Sequence, residues 1–353
     1  MLHYPLIGKC YSTVPAVYEA MRAEGIDVCE SSMHFDSHAP FDTMFKSNIR
    51  NFLAKRQARM NSSEYERIIV IDDGGEVLDQ IDDFIVESDR VVGIEQTSSG
   101  YNKLKFKDHQ IPIINLARAE AKKVYETPFI VEGAIRLLSQ RFEGLRKRPE
   151  KILIMGQGVL GRRARELLSA GYKVDGYDIV EEKSDMRAED LHRRLGEYDV
   201  VIGCTGTTSL TAEQHGKLKK GCTLISISSP DREFDAVHLR RQLAVSGQFC
   251  RDVEVDGIKL LNSGFPINFN AQEETESLEM IQLTRALILG SILQATRPQR
   301  QTGFIELDRG LQFLIADQFQ RGVMDVQDVV VSRPTYARLP AKPAHWKFMS
   351  VRG

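Results

Sequence analysis

The chain has 353 residues, 42% hydrophobic and 27% charged, a balance that suits a globular protein long enough for two domains. Its 47 basic and 49 acidic side chains give a formal net charge of -2, which argues against a dedicated binder of nucleic acid. No apolar run approaches the roughly 20 residues needed to cross a bilayer, and Met1 to Pro5 carry neither a charged leader nor an apolar signal core.

The five cysteines, Cys10, Cys29, Cys204, Cys222 and Cys250, are scattered and show no metal-ligand spacing. They read as reduced thiols, so a cytoplasmic protein without a metal site is expected. Residues 15–24 read as a helix that stops at Gly25, with Thr13 as its N-cap. Short strands are expected at 26–29, 66–71, 91–94 and 112–115. The second runs into Asp72-Asp73-Gly74-Gly75 and the third into Glu95-Gln96-Thr97-Ser98-Ser99-Gly100. Residues 118–126 and 129–142 have helical patterns separated by Thr127-Pro128, and a basic cluster at Arg146-Lys147-Arg148 reads as a solvated helix end. Strands and helices alternate throughout, which predicts an α/β class with mostly parallel sheets.

Residues 151–155 (KILIM) form a buried-type strand that enters Gly156-Gln157-Gly158-Val159-Leu160-Gly161. A helix at 162–170 and a second strand at 173–177 follow, the latter ending on Asp178, 20 residues after Gly158. This is G-x-G-x-x-G in its required setting. The first glycine makes the tight turn, the second lets backbone approach a pyrophosphate, and the third allows close helix–strand packing. A Rossmann-type dinucleotide domain is therefore expected, although such domains also take S-adenosyl compounds. A carboxylate at Asp178 accepts from ribose hydroxyls and repels a 2′-phosphate, so NAD is expected over NADP. Further strands at 198–203 and 222–227 end in small polar residues, where an open α/β sheet meets its ligand. Cys204 lies at one such end and reads as a small buried residue rather than a nucleophile.

Several elements, in order, resemble the S-adenosylhomocysteine hydrolase (adenosylhomocysteinase) superfamily, of which the chain looks like a divergent and shortened member. They are Asp72 to Gly75, Glu95 to Gly100, the series Asn115, Lys122 and Glu126, the Gly156–Gly161 loop, Thr205-Gly206, Asn268 within LLNSGFPIN, and the tail Lys342 to Phe348. The resemblance implies two α/β domains, with the Rossmann-type NAD domain inserted into a smaller substrate domain and the active site between them. The corresponding limits are 1–128 for the substrate domain, 129–268 for the NAD domain, 269–325 for the return, and 326–353 for an oligomerisation tail. It also implies a homodimer or homotetramer, and a reaction in which NAD oxidises the 3′-hydroxyl of a ribose-bearing substrate. S-adenosylhomocysteine is the default substrate.

By the same resemblance Asp73, Lys122 and Glu126 are catalytic, and Thr13 and Gln96 contact substrate. Thr97, Ser98, Ser99, Gly156, Gly158, Val159, Leu160, Gly161, Asp178, Thr205, Gly206, Ile227, Ser228, Ser229, Asn268, Lys342 and Trp346 would contact the cofactor. Lys122 and Glu126, four apart, share one face of a helix. The departures are specific. Gln96 stands where the family has a glutamate, and Tyr11 and Ser229 stand where it has histidines. None of the eight histidines falls on a matched catalytic position, and residues 270–277 have no counterpart of the family's GHPS histidine. A regulatory protein that binds NAD without catalysis, or a plain NAD-dependent dehydrogenase, are the alternatives.

Overall fold

The structure, a computed structural model, describes residues 3–143, 148–228, 230–242, 251–269 and 279–324. Two parallel-type sheets organise them. The first is four-stranded, in the order β1 (Ile68–Asp72), β2 (Val91–Glu95), β3 (Pro112–Asn115) and β10 (Gly303–Glu306), every pair parallel. β2 and β3 are buried at every residue, which is why their sequences are apolar runs rather than alternating patterns. β10 comes from far along the chain, after the whole second sheet has been formed.

The second sheet has six strands: β4 (Lys151–Met155), β5 (Lys173–Tyr177), β6 (Val200–Gly203), β7 (Thr223–Ser226), β8 (Val253–Val255) and β9 (Ile258–Leu260). Their spatial order is β5-β4-β6-β7-β9-β8, parallel except for the β8–β9 hairpin. The chain steps from β4 to one side and then to the other, so the topological switch lies between β5, β4 and β6. The hairpin turns on Asp256 and Gly257, both at positive φ, the two-residue Asp-Gly signal of a primed turn. That signal stands in the sequence, but the expectations above do not include the hairpin.

Helices cover the sheets: α1 (Pro15–Ala23), α2 (Phe41–Met60), α3 (Ser98–Leu104), α4 (Thr127–Glu143), α5 (Val159–Leu168), α6 (Ala188–Arg194), α7 (Ala212–His215), α8 (Ala236–Arg241), α9 (Ile281–Ala295) and α10 (Arg309–Phe319). Among the described residues no helix is long and apolar enough to cross a membrane. The expectations also lack α2, α3, α6 to α10 and β10. Of these α2 has a legible signal, since its buried stripe Phe41, Phe45, Ile49, Phe52 and Leu53 has helical spacing.

Three local expectations are corrected. The N-cap of α1 is Val14, with no side-chain cap; the Thr13 hydroxyl donates instead to the Lys9 carbonyl at 2.8 Å. Residues 26–29 form no strand but a single parallel bridge between Leu6 and Val28, in which the Leu6 N–H donates to the Asp27 carbonyl and the Cys29 N–H to the Leu6 carbonyl. The break expected at Thr127-Pro128 is absorbed by a π-helical turn at Lys122–Glu126 that runs directly into α4. Proline has no N–H to give to the carbonyl four residues back and its ring crowds that carbonyl. The carbonyl four residues back, that of Val124, lies within the wider turn.

The two sheets meet through aromatic and charged contacts. Tyr11 stacks on Phe265 at 4.8 Å, and Phe41 and Phe35 pack edge-on to Phe265. Arg240 on α8 donates to the carbonyls of Ser37 and Ala39 and pairs with Asp231 at 2.7 Å. Arg232 spans the same boundary, donating to the Gly206 carbonyl and pairing with Asp42 of α2 at 2.9 Å.

Candidate functional site

The Gly156–Gly161 loop lies at the switch point. Gly156 has φ +90°, and a Cβ there would sit 2.9 Å from the Thr205 methyl. Gly161 has no room for a Cβ, which would overlap the Gly156 carbonyl oxygen. Gly158 faces open space. It is the N-cap of α5 with no side-chain cap, so the helix's first-turn N–H groups and dipole face that space. Val159 is exposed and Leu160 half-buried. Asp178 closes the turn, accepting from the Gln157 N–H at 2.7 Å and the Val180 N–H at 2.9 Å. A carboxylate has about four acceptor positions, so two remain for a ligand. We expect Gly161→Ala to abolish dinucleotide binding, because the new methyl must push α5 off β4. Unchanged NAD affinity by calorimetry would remove this reading of the loop.

The facing loop after β6 is held from below by Glu233. Its Oε1 accepts from the Thr205 and Gly206 N–H groups, both at 2.6 Å, and from the Ser228 hydroxyl, while Oε2 accepts from the Thr205 hydroxyl at 2.9 Å. Burial pushes this carboxyl above its usual range despite those donors. Thr205, Gly206 and Ser228 thus do come to the switch point, with their donors turned to Glu233. Ile227 is buried beneath them. Cys204 follows β6, and burial, with Glu233 second, raises its thiol well above the ordinary value, so it stays protonated. Asn268 is half-buried with its Oδ1 unpartnered. Ser229, Lys342 and Trp346 lie outside the described residues.

A second cluster sits at the C-terminal edge of the first sheet, where four strands end in a polar row. Asp72 is in register with Glu95, Glu95 with Asn115, and Asn115 with Glu306. Immediately beyond that row, Asp73 pairs with Lys9 at 2.6 Å and accepts from the Gln96 amide at 2.7 Å. Lys122 donates to the Gln96 carbonyl and pairs with Glu126 at 3.2 Å. The i,i+4 pair therefore forms, but it is no surface pair: the side chains are 14% and 16% exposed. The wide π turn brings residues four apart almost into line on one face. Asp73, Gln96, Lys122 and Glu126 thus come together from three separate segments, with Thr13 tied to the Lys9 backbone beside them.

Electrostatics differentiates the two acids. Neighbouring protein crowds Asp73 and pushes it up, though its side chain is 56% exposed, but the charge and hydrogen bond of Lys9, with Gln96 and Lys122, outweigh this and leave it below the usual carboxylate range. Burial raises Glu126 above that range against the pull of Lys122. Burial alone would lower Lys9, yet Tyr11, Asp73 and Asp72 raise it. Gln96 Oε1 is buried without a hydrogen-bond partner, and Glu126 Oε2 faces the Lys122 ammonium at 3.2 Å. Thr97 caps α3, accepting from the Gly100 N–H at 3.0 Å and donating to Glu95 at 2.7 Å; Ser98 and Ser99 are exposed on its first turn.

Lys9, Glu95 and Glu233 were not among the expected site residues. Glu95 carries a signal, an acid at the end of a buried strand. Lys9 and Glu233 carry none, because their partners are 64 and 28 residues away.

A scan against protein-family models found no match. Two curated relatives, uncharacterized proteins from two strains of Mycobacterium tuberculosis, are each 40% identical over 296 residues, covering 82% of this chain. The chain spans 58% of the length of those relatives. Among solved structures, a dipicolinate synthase from Bacillus halodurans is similar at 17% identity and a TM-score of 0.36, covering 45% of this chain and 59% of that one. A probable 2-hydroxyacid dehydrogenase from Rhizobium etli, in complex with NADP, HEPES and tartaric acid, is similar at 15% identity and a TM-score of 0.35, covering 68% of this chain and 85% of that one. None of these proteins bears the name of an adenosylhomocysteinase.

Proposed function

We propose that this chain is a nicotinamide-dinucleotide-dependent oxidoreductase that acts on a secondary alcohol of a ribose-bearing substrate. One observation carries the reading: Asp73, Gln96, Lys122 and Glu126 converge beside the C-terminal edge of one sheet, while an open glycine loop occupies the switch point of the other. The open backbone at Gly158, the uncapped start of α5 and Asp178 suit a pyrophosphate and the adenosine ribose. When bound there, the nicotinamide supplies a hydride acceptor.

The chain's own groups handle the proton. Glu126, raised by burial, takes up a proton more readily than an ordinary carboxylate, and Lys122 beside it holds the alcohol oxygen. Gln96 Oε1 accepts from a substrate hydroxyl, since its amide nitrogen is committed to Asp73. An amide exchanges no proton as an acid or base, so Gln96 favours a redox step over thioether elimination. This makes a plain dehydrogenase the closest alternative to the full adenosylhomocysteinase-like cycle. Adding nucleosides and nucleoside thioethers to the NAD-loaded protein tests the reading through nicotinamide absorbance; no response to any of them would count against it.

Cofactor choice has its own test. NAD is expected to bind more tightly than NADP, and Asp178→Ala to narrow that gap by removing both ribose acceptors and the repulsion of a 2′-phosphate. Equal affinities in the parent protein, measured by calorimetry, would defeat this.

A further inference from the structure

The polar row of the first sheet holds two acids that the proposed chemistry does not use. Asp72 and Glu95 are register partners on neighbouring parallel strands, so their side chains share one face. Both are buried, at 5% and 0% exposure. Asp72 accepts from the Leu78 N–H at 2.8 Å. Glu95 Oε1 accepts from the N–H and hydroxyl of Thr97, both at 2.7 Å, and from the Gly74 N–H at 3.3 Å. Glu95 Oε2 is buried with no hydrogen-bond partner. There is no slack around it, since a Cβ on Gly100 would overlap the carboxyl group.

The charges nearby do not neutralise Glu95. Lys9 is paired with Asp73, Lys103 of α3 with Glu76, and Lys122 with Glu126. On the β3 side the row continues through Asn115, whose amide donates to Glu306 of β10 at 3.2 Å. On the α9 side Thr284 is engaged with Glu126. Two ionised carboxylates side by side in this setting repel, and a bare buried carboxylate oxygen is costly.

We propose that Asp72 and Glu95 hold one proton between them beneath the Asp73–Gln96 contact, and that neutral Glu95 is the positioning residue for both. Glu95 ties the turn after β1, through Gly74, to the start of α3, through Thr97. Asp73 and Gln96 are the immediate neighbours of those two anchor points. The donors at Gly74 and Thr97 favour the charged form, but loss of the proton sets like charges against each other where there is no slack. The repulsion shifts the Glu95 carboxylate away from Asp72 and drags both anchors with it, so the 2.7 Å contact between Gln96 and Asp73 opens. The inference rests on the proposed function only in taking Asp73 and Gln96 as part of the reacting cluster.

Burial, with the Asp72 charge second, pushes Glu95 up to about 8, and burial raises Asp72 as well. The folded chain therefore keeps a proton that the unfolded chain releases in the ordinary carboxylate range. Stability contributed by that proton is full at acid pH, falls as pH rises towards about 8, and is gone above it.

Infrared difference spectroscopy of the parent protein should show a buried protonated carboxyl at neutral pH that disappears near pH 8. Above that pH, hydrogen exchange at the Gly74 and Thr97 amides should be about tenfold faster in the parent than in Glu95→Gln at the same pH. Asp72→Asn should remove the same acceleration, and it decides the matter alone if Glu95→Gln does not fold. Absence of the protonated carboxyl at neutral pH, or equal alkaline loosening in parent and variants, overturns the proposal. Neither measurement uses cofactor or substrate. A silent nicotinamide assay would therefore count against the proposed function and not against this proton.

Discussion

Replacing Arg240 with alanine is expected to cost about 3–5 kcal/mol of stability, the scale for breaking one half of a buried ion pair. Arg240 and Asp231 are 1% and 3% exposed at their side chains. The guanidinium also donates to the carbonyls of Ser37, Ala39 and Ser263 and lies over the rings of Phe35 and Phe265. Alanine would strand three carbonyls and a carboxylate in the interior. Burial already pushes Asp231 above its usual range even with Arg240 in place, so the lone acid would rise further. The loss should appear as a lower urea midpoint. Because the residue joins segments of both sheets, the unfolding should also become less cooperative. A shift below about 1 kcal/mol would mean that water reaches these groups and that the boundary is not a dry contact.

Lys122→Ala should slow reduction of bound nicotinamide by about 100-fold or more, the range for removing a group that manages a reacting proton. Dinucleotide affinity should stay within about twofold, since Lys122 sits with the first sheet and not at the glycine loop. The variant also leaves Glu126 without its cation. Burial then dominates, so Glu126 should be protonated at a higher pH than in the parent, and any residual rate should rise towards alkaline pH. Single-turnover absorbance across pH, together with NAD titration, separates the two effects. An undiminished rate would place the chemistry elsewhere, and a parallel loss of NAD affinity would show that the substitution disturbs more than the reacting cluster.

Much of the second sheet was legible because its signals are local. β4, the glycine turn and β5 lie within 27 residues, Lys151 to Tyr177, and each is set by its own apolar run or by backbone that only glycine allows. β3, β4 and β5 have the limits expected from the sequence. The corrections fall where a local signal competes with surroundings. Pro128 is a breaker read alone, yet the helix continues because a π turn at Lys122–Glu126 takes up the misfit. Residues 26–29 have strand-like side chains, but their pairing with the chain at Leu6 stops at one bridge, and a strand needs a continued ladder.

The sequence by itself determined the α/β alternation, the glycine loop and the acid at the end of β5, since each is written within a few residues. Only the tertiary structure decided which charges meet. Lys9 reaches Asp73 across 64 positions, and Arg232 reaches Asp42 across 190. Strand register alone sets Asp72 beside Glu95. A side chain's charge state depends on burial and on what faces it, and both are properties of packing between segments. That is why Glu95, an ordinary glutamate in the sequence, becomes a fully buried acid raised by burial and by the Asp72 charge at this edge of the sheet.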